Sequence, residues 1–161
     1  SYIDGLLSMI TATSLTDGKH YNHLIQQLVN NFGQRLKTVV LFGSRAREEA
    51  EDTSDHDLLL VIDRLPEEPV KRLKTVRRAI AEVPLRINTI VKTPSEVACN
   101  LTPLLLDVCV DGICLFGQDY FDPYRRKALQ ALQQSGLKRK REGRTWYWQF
   151  EQFPTRVWEL T

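Results

Sequence analysis

Two short apolar runs constrain this chain more than any other feature. Lys37–Phe42 reads KTVVLF and Asp57–Asp63 reads DLLLVID. Their apolar stretches do not alternate with polar residues, so each predicts a strand covered on both faces. Such a sheet needs two apolar layers, and amphipathic helices supply them. Lys19–Phe32 places Leu24, Ile25, Leu28, Val29 and Phe32 on one helical face, with Gly33 as a stop. After Pro66 a second helix presents Val70, Leu73, Val76, Ile80 and Val83. Leu85–Val91 alternates, as a third strand with one solvated face would. Thr93-Pro94-Ser95-Glu96 predicts a helix start, Thr93 capping and Pro94 in the first turn. Pro103–Val110 predicts a short helix and Ile113–Phe116 a fourth strand. Asp122-Pro123 predicts the start of a last helix with Phe121, Tyr124, Ala128 and Leu132 inward. Residues 137–150 predict a hairpin around Glu142-Gly143. The order predicts an α/β (α+β) fold, a small mixed β-sheet covered by helices.

Composition narrows the class. With 161 residues and 42% hydrophobic content, one globular domain is expected, with short extensions. Residues 1–18 have no clean period and read as an N-terminal extension, 19–136 as the domain, and 137–161 as a basic, aromatic C-terminal extension packing on the domain or a partner. Apolar runs such as Leu58–Ile62 are too short to span a bilayer, so no membrane association is expected. The N-terminus has no basic region followed by an apolar core, which argues against a signal peptide. Cys99, Cys109 and Cys114 cannot all pair and lack zinc-type spacing. They read as buried thiols in a reducing, cytoplasmic setting. The formal net charge of +2 arises in one segment, LKRKREGR (137–144), with five basic groups and one acidic.

The chemistry lies between the two apolar runs. Val39 to Ile62 reads VVLFGSRAREEAEDTSDHDLLLVI: a strand, Gly43-Ser44, ten residues, then Asp55-His56-Asp57 opening the next strand. Gly43 lets backbone approach a ligand without a Cβ. Ser44 and the following amides suit phosphate oxygens at a helix N-terminus. Asp55 and Asp57 sit two apart, so both side chains leave one face and suit a hard cation such as Mg²⁺. Alternation turns His56 away from both, into a structural role. His20 and His23 lie three apart on a helix and carry little metal signal.

These residues resemble the signature of the minimal nucleotidyltransferases of the DNA polymerase β superfamily. Phe42-Gly43-Ser44-Arg45-Ala46-Arg47, followed by Ser54-Asp55 and Asp57, is similar to their "FGSRARG…SD-x-D" string. The resemblance runs from about Lys19 to the third strand and more loosely to residue 136. It implies a polymerase β-type fold, ATP as substrate, and Mg²⁺ (one or two ions) held by Asp55 and Asp57. It implies Gly43 and Ser44 at the triphosphate, with Arg45 and Arg47 as further nucleotide-binding candidates. Arginine suits bidentate phosphate contacts; the alternative is pairing with the acidic loop of Glu48, Glu49, Glu51 and Asp52. Many stand-alone relatives resemble antitoxins that adenylylate a tyrosine of a HEPN-type RNase toxin, so such a toxin is the expected partner.

Two positions depart from the signature. Aligning LRINTIVKTP places Asn88 where the family usually has a third catalytic carboxylate. A carboxamide is no base at neutral pH. Asn88 then acts as a weak ligand, a carboxylate such as Glu82 substitutes, or the chain is a weakened partner-binding protein. Glu48 stands where the family commonly has Gly, and Glu can continue a helix. Transfer to tRNA or a small molecule is a further alternative. Lys138, Arg139, Lys140 and Arg141, with Trp146-Tyr147-Trp148, offer a nucleic-acid surface. The same aromatics suit core packing or a homo-oligomer contact. Phe150, Phe153 and Trp158 suggest that the tail docks.

Overall fold

The computed structural model describes residues 15–150; the expectations for residues 1–14, Phe153 and Trp158 lie outside them. The elements are α1 (Leu15–Phe32), β1 (Leu36–Phe42), β2 (His56–Ile62), α2 (Pro69–Ala79), β3 (Ile87–Lys92), α3 (Pro94–Cys99), α4 (Pro103–Asp111), β4 (Ile113–Phe116), α5 (Gln118–Ser135), β5 (Leu137–Glu142) and β6 (Thr145–Phe150). β3-β2-β1-β4 form one mixed sheet. β1 is antiparallel to β2 and β4, whereas β3 is parallel to β2. The expected small mixed α/β sheet is what forms.

The apolar runs become the two central strands because both their faces are covered. On one face Val39, Leu41, Leu58, Leu60 and Ile62 pack against Tyr21, Leu24 and Leu28 of α1 and Val76 of α2. On the other, Val40, Phe42, Leu59 and Val61 pack against Val97, Leu105, Val108 and Phe121. β3 is a sheet edge with no fully buried residue, matching its alternating sequence.

The helix ends differ from the sequence pattern for local reasons. α1 starts at Leu15 rather than Lys19, and its inward face uses Tyr21 while Val29 is exposed. α2 stops at Ala79, and Ile80 and Val83 are buried in the turn after it. Pro84 follows, which disfavours helical backbone at Val83. Glu82 is exposed in that turn, not on the helix. α5 begins at Gln118, so Pro123 lies inside it rather than in its first turn. Gly117 (φ +78°) turns the chain directly out of β4, and a Cβ there would strike the Lys37 carbonyl. Thr93 and Glu96 form the expected capping box of α3. Burial opposes ionisation of Glu96, but the Thr93 amide and Arg72 hold its carboxyl below the usual range.

Cys109 and Cys114 are buried thiols, and burial pushes Cys109 up to about 11. Cys99 is exposed, contrary to expectation, because it closes α3 at the surface. Among the described residues no helix is long and apolar enough to cross a membrane.

Candidate active site

The Gly-Ser turn and the start of β2 meet at one end of the sheet. β1 delivers Phe42 opposite Asp57, and Gly43 leaves the strand with φ +72°. A Cβ on Gly43 would collide with the Asp57 carboxylate, so the position needs glycine for both conformation and space. The chain then makes one 3₁₀ turn, Gly43–Arg45, instead of the longer helix expected after Ser44. Ala46 and Arg47 amides bond the Gly43 carbonyl at 3.1 and 3.2 Å. The first amides of such a turn lie outside its own hydrogen bonds.

His56 separates the two aspartates in structure as in sequence. It is 3% exposed, and its Nδ1 lies 2.6 Å from the Tyr21 hydroxyl on the α1 side of the sheet. This anchors the first residue of β2 and leaves Asp57 on the opposite face. Asp57 is half-buried; Asp55 is exposed. Asp55 accepts an ion pair from Arg86 at 3.2 Å.

The parallel register pairs Asp57 with Asn88. Asn88 Nδ2 donates to Asp57 Oδ1 at 3.1 Å. Asn88 therefore stands beside the carboxylate that the third acid of the signature would accompany, and it presents a donor. Among the described residues no group of three or more His, Cys, Asp or Glu side chains suits a metal ion. The donor set is two carboxylates two residues apart, Asp55 just before β2 and Asp57 in it. That fits a Mg²⁺ completed by water and substrate phosphates, since Mg²⁺ is commonly held by one or two carboxylates. A second ion would lack a protein carboxylate of its own.

Arg45 and Arg47 both face protein acceptors. Arg45 donates to the Ser54 carbonyl at 2.8 Å and to the Glu51 and Asp52 carbonyls, which shapes the loop between Ser44 and Asp55. Arg47 pairs with Glu49 and with Asp111 of α4, each at 3.4 Å. Glu48 lies at φ +59°, the left-handed region that favours glycine. The chain is turning there, not continuing a helix.

The basic run splits by strand alternation. β5 and β6 pair Arg139 with Trp148 and Arg141 with Trp146. Arg139 makes a two-pronged bond to Asp111 at 2.5 and 2.7 Å and stacks 4.5 Å from the Trp146 ring. The Asp111 bonds outweigh burial and raise the Arg139 pKa. Trp148 Nε1 donates to Asp107 at 3.0 Å. Arg139 is thus turned onto protein partners and withdrawn from the four-residue nucleic-acid surface expected from the run, while Arg141 pairs with Glu49 but stays exposed. Asp107, Asp111 and Arg86 were not singled out by sequence reasoning. The available signal was a pair of aspartates four apart in the otherwise apolar helix PLLLDVCVD.

Comparison with known proteins agrees with this geometry. Residues 22–120 match the family described as Polymerase beta, Nucleotidyltransferase. A candidate protein adenylyltransferase of Methanocaldococcus jannaschii is 29% identical over 105 residues, covering 62% of this chain and 71% of that protein. A crystal structure of a toxin–antitoxin with AMP-PNP has a TM-score of 0.52 at 18% identity, covering 70% of this chain and 86% of that one. A variant of the MntA–HpeT toxin–antitoxin has a TM-score of 0.50 at 16% identity, with 71% and 87% covered. At these identities the two structures establish a shared fold.

Proposed function

The chain belongs to the polymerase beta nucleotidyltransferase family, and on that premise we propose that it is an Mg²⁺-dependent adenylyltransferase acting on a hydroxyl of a partner protein. The partner we propose is a HEPN-type toxin, with this chain as its antitoxin. The adenylyltransferase assignment of the archaeal relative and the toxin–antitoxin fold neighbours support that choice. The observation that carries the reading is the setting of Asp57. Gly43 is pressed against one of its oxygens and Asn88 is bonded to the other, at the mouth of the Gly-Ser turn.

In this reading Asp55 and Asp57 would hold Mg²⁺. When bound, the ion neutralises triphosphate charge and stabilises the leaving pyrophosphate. Gly43 and Ser44 would cradle the triphosphate with backbone and hydroxyl donors. Arg45 acts at one remove, by fixing the loop through its carbonyl contacts. Asn88 orients Asp57 through its amide hydrogen bond. It cannot take the proton of the attacking hydroxyl, so this chain forgoes general-base help of about 10²–10⁴-fold.

Asn88 also favours a second reading, neutralisation of the toxin by contact without transfer. One experiment separates the two. The chain is incubated with α-labelled ATP, Mg²⁺ and a lysate of the source organism, with Asp57→Ala beside it. Protease-sensitive label that requires Asp57 is the expected result, with a loss of at least about 100-fold in the variant. RNase-sensitive label would move the acceptor to RNA. No label from wild type, with toxin binding intact in both chains, would leave the contact reading.

A further inference from the structure

The β5–β6 hairpin lies outside the family match at residues 22–120, yet it grips the nucleotide loop. The two strands hydrogen-bond only to each other as a sheet. A two-stranded ribbon is marginal alone, so its order must come from what its inner face touches. On β6, Trp146, Trp148 and Phe150 alternate with the more exposed Thr145, Tyr147 and Gln149; on β5, Leu137 and Arg139 are half-buried and Arg141, itself exposed, reaches the Trp146 ring.

Trp146 is the hub. Arg139 and Arg141 stack 4.5 and 5.0 Å from its ring centre, and Arg47 of the Gly-Ser loop reaches it at 6.0 Å. Arg47 also shares Asp111 with Arg139. Further along the loop, Glu49 pairs with Arg141 at 3.0 Å and Glu51 with Arg144 at 3.2 Å. Three cations around one ring are tolerated because Asp111, Asp107 and Glu49 neutralise them and the ring face is negative. Among the described residues Trp146 Nε1 has no hydrogen-bond partner, and what the hairpin and the loop engage is its ring.

We propose that the hairpin is a brace that positions the Gly43–Asp55 loop for nucleotide, with Trp146 as the positioning residue acting through Arg47. The part of this concerning nucleotide rests on the adenylyltransferase reading above; the bracing itself does not. Contacts within the loop, from Arg45 and the Ser54 hydroxyl, order it in part, and the stretch around Arg47, Glu49 and Glu51 takes further order from outside. The hairpin imposes it with ring faces and paired charges that a family core ending at residue 120 does not contain.

The test is hydrogen exchange on the nucleotide-free full chain, with calorimetric binding of AMP-PNP and Mg²⁺ beside it. For Trp146→Ala the expected result is exchange at residues 45–53 faster by about tenfold or more, with the protection of Val39–Leu41 and Leu58–Val61 kept. Analogue binding should weaken by about tenfold. Trp146→Phe keeps a ring face and should restore both. Unchanged exchange at 45–53 in Trp146→Ala, or failure of Trp146→Phe to rescue, overturns the brace. If Trp146→Ala also loses sheet protection, Arg141→Gln carries the test: it removes the Glu49 pair from a partly exposed site. Faster exchange confined to 45–53 then supports the brace, and unchanged exchange overturns it. A wild type that binds no analogue would sink the nucleotide reading, while the exchange data would still decide the brace.

Discussion

Two aspartate–arginine pairs show how solvent sets the job of one chemistry. Arg139 and Asp111 meet through two short bonds with side chains 14% and 10% exposed, under the ring of Trp146. Arg86 and Asp55 meet through one contact at 3.2 Å with side chains 74% and 49% exposed. The first pair parts only by giving up a two-pronged bond in a site nearly closed to water, with Arg47 left to Asp111 and Asp107 left to Arg139. The second parts at almost no cost and leaves Asp55 open to a cation. Fixed charge sits where the hairpin packs, and exchangeable charge at the proposed ion site.

Breaking each pair tests the contrast. In Arg139→Ala, Asp111 keeps Arg47 at 3.4 Å but loses its two-pronged partner, so the variant should lose about 2 kcal/mol, seen as a Tm lower by roughly 6 °C. Arg86→Ala should stay within about 0.5 kcal/mol of wild type in the same melt. Equal losses would erase the distinction.

Gly43→Ala attacks the open end. It forces a side chain onto a left-handed backbone, costing about 1–2 kcal/mol, and pushes the methyl into Asp57. Label transfer should fall by about 100-fold or more, since displacing a carboxylate by an ångström is enough. Asn88→Asp sharpens the same end. It places a second carboxylate against Asp57, so the variant should melt lower than wild type without Mg²⁺ and regain stability when Mg²⁺ is added. Transfer should rise, bounded by the roughly 10²–10⁴-fold that a general base supplies. A sharp loss would mean that Asn88 is not the third position. Glu48→Gly relieves left-handed strain in the loop and should stabilise by about 1 kcal/mol, read in a urea melt.

The central strands were legible because continuous apolar runs such as VVLF and LLLVI can settle only inside a covered sheet. Asn88 was legible as a third-strand residue because LRINTIV alternates, and the parallel register sets it beside Asp57. Glu48 was not, since nothing local distinguishes a residue continuing a helix from one held left-handed by a loop closing on itself. Arg45 and Arg47 looked like phosphate ligands because arginine suits phosphate and carbonyls equally; the choice depends on where Ser54 and Asp111 end up. Trp146 gave no sign of its hub role, because Arg47 lies 99 positions away in the chain. The alternation in TWYWQF was the available clue: it separates the inward tryptophans from their neighbours.

The account rests on the carboxylates at the head of β2 being open to an ion and a nucleotide together. Calorimetric titration of AMP-PNP into wild type and Asp57→Ala, with and without Mg²⁺, asks this directly. Binding to wild type that requires Mg²⁺ and disappears in Asp57→Ala, with the variant's Tm preserved, is the predicted result. Equal binding by the two chains, or none to wild type in Mg²⁺, would contradict it.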